Sequence, residues 1–254
     1  MPVAVERLKV AVLSEDGEAG RAAVLALFKR LMGSISKGVP VDRLVEPVKV
    51  PPNIAKLAQM NVWQGRQQQK EFIGGVAALL RDDCVVVWMF DADTVWSKSG
   101  GGQKTQKMER ARAALRALHE QALPGDSLRG ALVPEEVGDR VIVFHPTWEL
   151  EAWLYQNIDG ARGLLHSGHP KAAAHHALLR EWGTDPDSIE EIPDVKGLLS
   201  VKPEQYLALA EGLPLKRVRE AYRSLACARE AVHGCRLVQN VIDRATPPWA
   251  RSPT

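Results

Sequence analysis

The sequence predicts an α/β fold: a mostly parallel four-stranded sheet flanked by helices, with a helical C-terminal extension. Three observations predict it. Short apolar runs alternate with helical segments up to about residue 158, the pattern that builds a parallel sheet through helical crossovers. The run Cys84-Val85-Val86-Val87-Trp88-Met89-Phe90 is apolar at every position, as expected of a strand buried on both faces. From Trp148 onward only helical segments follow.

Leu8 to Leu13 reads as a buried strand that runs into the polar turn Ser14-Glu15-Asp16-Gly17-Glu18. Ala19 to Met32 carries apolar residues at helical spacing, and Gly33 is its stop signal. Leu44 to Val50 alternates as a second strand and closes at Pro51-Pro52. Gln67 to Leu80 is helical in pattern despite Gly74-Gly75, and Cys84 to Phe90 is the third strand. A loop, Ser97-Lys98-Ser99-Gly100-Gly101-Gly102, precedes a helix from Lys104 to Gln121 that ends at Pro124-Gly125. Arg140 to Phe144 is the fourth strand. Four helices complete the reading: Glu149 to Gln156, Lys171 to Trp182, Pro203 to Glu211 and Pro214 to Arg244. The chain therefore divides into an α/β core over 1–158, a helical region over 159–246 and a flexible proline-bearing tail over 247–254.

Composition narrows the function classes. Apolar residues make up 45% and charged residues 25% of the 254-residue chain, ordinary values for a globular protein. The net charge of +2 gives no globally basic surface, so any nucleic-acid contact must come from local clusters such as Lys98 to Arg116 or Lys216 to Arg223. Three irregularly spaced cysteines argue against a disulfide framework. Cys227, His233 and Cys235 invite a zinc reading, but no second ligand cluster stands at finger-like spacing. No basic segment followed by an apolar stretch opens the sequence, and no run of about 18 apolar residues occurs. A cytoplasmic protein with no membrane segment is expected.

In a parallel sheet ligands gather at the carboxyl ends of the strands. The polar residues there are Glu15 and Glu18, Asp91 and Asp93, and His145, Glu149 and Glu151. Asp91 and Asp93 are one residue apart at the end of the apolar run, close enough to share a cation. Carboxylate oxygens are hard ligands that suit Mg2+ or Mn2+. Without a cation, the repulsion between two such groups would be costly. Glu15 holds the equivalent place after the first strand, as a metal ligand or general base. Asp16 and Glu18 better suit the bland role of acids at a helix N-terminus. Glu149 and Glu151 point about 200° apart on a helix, and Glu151 is taken as the inward one.

These residues resemble a family. Glu15 after a first strand, followed later by Asp91-Ala92-Asp93, resembles the Toprim fold of topoisomerases, primases and overcoming-lysogenization-defect nucleases. Glu149-Leu150-Glu151-Ala152-Trp153-Leu154, followed by Asp194-Val195-Lys196-Gly197-Leu198-Leu199, looks like a group of small Toprim-like bacterial proteins related to phage-defence nucleases. The resemblance spans about Leu8 to Leu199, with short sharp matches. It implies a catalytic set of Glu15, Asp91 and Asp93, and a Mg2+ or Mn2+ site of these three with Glu151. It also implies phosphodiester cleavage of nucleic acid in phage defence or DNA processing. Lys98, Lys104, Lys107 and Lys196 would contact phosphates. Two departures stand out: Asp16 intervenes between Glu15 and Gly17, and Tyr155-Gln156-Asn157 follows the Glu-Ala-Trp-Leu segment.

Two other classes compete. Phe90-Asp91-Ala92-Asp93-Thr94-Val95 also resembles the first motif of haloacid-dehalogenase-type phosphatases, in which Asp91 would be the nucleophile. That motif normally follows the first strand of its fold, whereas two strands precede it here. Alternatively the core binds nucleic acid or a separate ATPase without cutting. The chain has no Gly-x-x-x-x-Gly-Lys-Ser/Thr loop, so ATPase activity would come from another chain.

Overall fold

Strands β1 (Leu8–Ser14), β2 (Val45–Val48), β3 (Val85–Met89) and β4 (Val141–Phe144) form one all-parallel sheet in the order β2-β1-β3-β4. The computed structural model describes residues 7–36, 39–63, 65–91, 102–121, 139–146, 149–165, 172–192, 195, 199 and 201–246, without the side chains of 61, 102–106, 108, 119, 121 and 172. Asp93, Lys98, Lys196 and the 247–254 tail lie outside the described residues, as does the side chain of Lys104.

The period-two arrangement of a strand explains why both faces are apolar. Leu8, Val10 and Val12 of β1, with Val85, Val87 and Met89 of β3, point to one face. Ala11 and Leu13, with Val86, Trp88 and Phe90, point to the other. The first face is covered by α1 (Gly17–Gly33) and the second by α3 (Arg66–Arg81) and α4 (Gly102–Gln121), with α2 (Pro52–Leu57) between β2 and α3. The connection that leaves β1 runs to β2 and the one that leaves β3 runs the opposite way to β4, which makes the β1–β3 boundary the switch point of the sheet. β2 is an edge strand, the place where Pro47 can sit without removing a ladder hydrogen bond.

An aromatic cluster fixes the second face. The Phe72 ring lies 4.8 Å from Trp88 and 5.4 Å from Trp63, and Trp88 lies 5.2 Å from Phe90. Such pairs contribute about 0.5–1.5 kcal/mol each beyond their area burial. They hold the last residues of β3, and so the backbone that leads into Asp91.

The C-terminal helices are α5 (Glu151–Leu154), α6 (Ile158–Leu164), α7 (Ala172–Trp182), α8 (Tyr206–Gly212), α9 (Leu215–Glu220), α10 (Ser224–Gly234) and α11 (Arg236–Ala245). Their apolar residues share one cluster with α1 and the first sheet face; Tyr206, Leu209, Val218, Leu225, Val232 and Val238 are all buried in it.

The helix expected over Pro214 to Arg244 is three helices. Ala221 is extended at ψ 140° and Arg223 at ψ −141°, which ends α9 before α10 begins. The Ser224 N–H and hydroxyl donate to the Glu190 carboxylate at 3.0 and 2.5 Å, so a distant residue caps the start of α10. Cys235, at ψ 112° after Gly234, separates α10 from α11. Pro51-Pro52 does more than close a strand, because helix α2 begins at Pro52. Its Pro52 sits in the first turn, where a helix has no use for that N–H.

A buried polar network fastens α5 to this layer. Trp153 Nε1 donates to Ser224 Oγ at 2.7 Å, and Gln156 Nε2 donates to Glu190 Oε1 at 3.2 Å. Arg217 donates to Gln156 Oε1 at 2.9 Å and also pairs with fully buried Asp187. Among the described residues, no helix is long and apolar enough to cross a membrane.

Candidate metal centre at the strand ends

The register of β1 on β3 sets Ser14 beside Met89. Glu15 and Asp91 therefore emerge at the same edge of the sheet, at its switch point. The turn after β1 is built tightly. Ser14, itself 1% exposed, accepts the Asp16 N–H on its hydroxyl at 3.2 Å. Gly17 has φ +69°, a left-handed conformation that glycine adopts without the steric cost of a Cβ. A Cβ at Gly20 would stand 2.3 Å from Asp16 Cβ and 2.9 Å from Ser14 Oγ, so the turn folds back directly on the helix. Asp16 stands between Glu15 and Gly17, and Glu15 lies at the strand end.

Glu15 is a junction. Its Oε1 accepts the Asp91 backbone N–H at 2.7 Å. Both carboxylate oxygens accept from Lys107 Nζ of α4 at 3.1 Å. Its backbone carbonyl accepts from Gln59 Nε2 at 2.8 Å. Asp91, half-buried, accepts the Leu150 N–H on Oδ1 at 3.0 Å. Phe90 donates its N–H to the Phe144 carbonyl at 3.1 Å, which holds the end of β3 against β4. Two carboxylates from adjacent strands and one ammonium thus meet at one edge.

Glu151 takes a different place. It is 1% exposed and accepts the Tyr206 hydroxyl. Burial raises the Tyr206 phenol above its ordinary value, and the hydrogen bond to Glu151 and the charge of Asp16 add to this. Tyr155 is raised for similar reasons: burial first, then the charge of Glu151, and Glu149 more weakly. The carboxylates of Glu151, Glu149 and Asp16 thus act on this pair of phenols. His145, partly buried after β4, is held below its ordinary value mainly by burial.

The donor set suits a hard divalent cation. Mg2+ is commonly bound through one or two carboxylates with water and substrate phosphates completing the shell. Glu15 and Asp91 supply two, and the Lys107 ammonium shows that this edge already accommodates positive charge. Among the described residues, no group of three or more His, Cys, Asp or Glu is gathered to hold a metal ion. Of the lysines expected to contact phosphate, Lys107 is the one whose side chain is described, and it reaches Glu15.

Residues that the sequence reading passed over also shape the site. Gln59 belongs to the unexpected helix α2 region, and no local pattern signals its reach to Glu15. Tyr206 is apolar-periodic in sequence and only the packing of α8 shows its polar role. No family model matches the chain, and no curated protein or solved structure matches it.

Proposed function

We propose that the chain is a Mg2+- or Mn2+-dependent, Toprim-like phosphodiesterase that acts on nucleic acid, in phage defence or DNA processing. The observation that carries this reading is the convergence of Glu15 and Asp91 at the switch point, with the Asp91 N–H on Glu15 Oε1 and Lys107 beside both oxygens. Glu15 and Asp91 would hold the cation, together with Asp93. Bound there, it would polarise a phosphodiester and lower the pKa of a water ligand.

The protein groups have separable tasks. Asp91 is oriented by the Leu150 N–H, which donates to its Oδ1. Glu15 Oε1 accepts the Asp91 N–H and both oxygens accept from Lys107, so Oε2 would take a proton from attacking water once Lys107 has moved away. Lys107 Nζ stands where it can leave Glu15 and donate to a phosphate oxygen as charge builds.

The test is nicking of supercoiled plasmid. Wild-type protein nicks with Mg2+ or Mn2+, and Asp91→Ala does not. An aspartyl-phosphate intermediate with a small phosphate ester, and no nicking, supports a phosphatase instead. Metal binding with neither activity supports a binding module.

A further inference from the structure

A cleft of about 660 Å³ opens beside this centre, between α1, the end of β2 and α2. Its floor is apolar: Val10 and Val12 of β1, with Pro47, Val48 and Val50 at the end of β2. Its rim carries Arg21, Lys49 and Lys56. Among the described residues, none of these three cations makes a hydrogen bond or an ion pair. Arg21 is partly buried in that state, whereas Lys49 and Lys56 are exposed.

A second cavity, of about 640 Å³ between α1 and α8, provides the contrast. Its cations are engaged. Lys29 pairs with Asp42 at 2.8 Å, Arg30 donates to the Leu213 carbonyl at 2.8 Å, and Arg219 donates to the Ser34 carbonyl at 3.2 Å. Cations left uncompensated around an apolar floor mark the first cleft as a place for an anion with an apolar body. Glu18 on its rim offsets one charge and leaves an excess of positive charge.

The cleft is continuous with the catalytic edge. Gln59 lines it and donates to the Glu15 carbonyl, and Ser14 lines it one residue before Glu15. Its volume falls within the range of small-ligand sites, about 300–1,000 Å³.

We propose that this cleft holds a nucleotide segment of single-stranded nucleic acid, with phosphates against Arg21, Lys49 and Lys56 and an unpaired base over Val10, Val12 and Val48. The assignment rests on the phosphodiesterase reading for its biological sense, since it seats the strand next to the carboxylates that cut it. It stands on its own for binding. A base in a duplex could not lie on the floor, and three cations on α1, after β2 and on α2 offer separate contacts to a chain of phosphates.

Binding of a fluorescein-labelled single-stranded oligonucleotide to the full chain tests it, by anisotropy in a chelating buffer that prevents cleavage. Lys49→Ala with Lys56→Ala should weaken binding about tenfold or more and lower the salt slope by roughly 1.4, at about 0.7 per phosphate contact. Arg21→Ala should weaken it comparably, and Lys29→Ala, in the second cavity, should leave it within about twofold of wild type. Circular dichroism of each variant separates lost binding from lost fold. No binding, binding unchanged in the double variant, or equal affinity for a mononucleotide would overturn the proposal. Lysine-dependent binding without metal-dependent nicking would keep the cleft and remove the nuclease. Nicking indifferent to the lysines would do the reverse.

Discussion

Lys107 Nζ lies 3.1 Å from each carboxylate oxygen of Glu15, so an ammonium on α4 sits at the end of β1, on the carboxylate proposed to hold the cation. The two side chains are 21% and 12% exposed, enough burial for the pair to matter. A cation entering at Glu15 must compete with this ammonium. Lys107→Met should therefore tighten Mn2+ binding several-fold by calorimetry. In metal-free buffer it should lower stability by about 1–2 kcal/mol, the scale of a charged hydrogen bond in a partly exposed site. Added Mn2+ should restore the melting temperature. Equal Mn2+ affinity in the variant and the wild type would separate Lys107 from the metal.

The turn that presents Glu15 has no room at Gly20, where a Cβ would meet Asp16 Cβ at 2.3 Å. Asp16 Cβ cannot move without moving the turn backbone. Gly20→Ala should cost about 1–3 kcal/mol as an overpacked site and weaken Mn2+ binding several-fold, although residue 20 touches no metal. Unchanged affinity with a lowered melting temperature would confine the turn to a structural role.

Tyr206 donates to the buried Glu151 carboxylate, and its phenol is raised above the ordinary 10.0, first by burial and then by that bond. Tyr155 is raised as well, again first by burial. A phenol whose folded-state pKa lies above its unfolded value carries stability that is complete below the unfolded value and is lost as pH climbs toward the folded one. Stability should thus be insensitive to these two groups at neutral pH and should fall above about pH 10. Phenolate absorbance should show Tyr155 and Tyr206 ionising together with unfolding. Tyr206→Phe should cost about 1–3 kcal/mol by leaving a buried acceptor short of a donor. A phenolate signal from all three tyrosines before unfolding would contradict the buried pair.

Much of the sheet was legible because its physics is local. Seven consecutive apolar residues at Cys84–Phe90 can only be a strand with both faces covered, and β3 is that strand. Glu15 and Asp91 were legible because the strand-end rule needs only the strand positions and the parallel order. The helix breaks at Ala221–Arg223 were not legible: Glu190, far away in sequence, caps Ser224 and fixes where α10 starts. Helix geometry alone points Glu151 inward, and it is buried; its Tyr206 partner lies on another helix and leaves no mark on the pattern. The strand-end rule applied to β2 as well points to Lys49, since it follows Val48 directly. No such rule points to Gln59, because the proline pair before it reads as a stop rather than as the start of α2.

Glu15 and Asp91 are proposed to hold a divalent cation at the switch point of the sheet. Anomalous diffraction from crystals soaked in millimolar Mn2+ tests it most directly. A manganese peak within coordination distance of carboxylate oxygens of both residues, absent in Asp91→Asn crystals, is the predicted result. Empty density between Glu15 and Asp91 at that concentration, or a peak that survives the substitution unchanged, would contradict it.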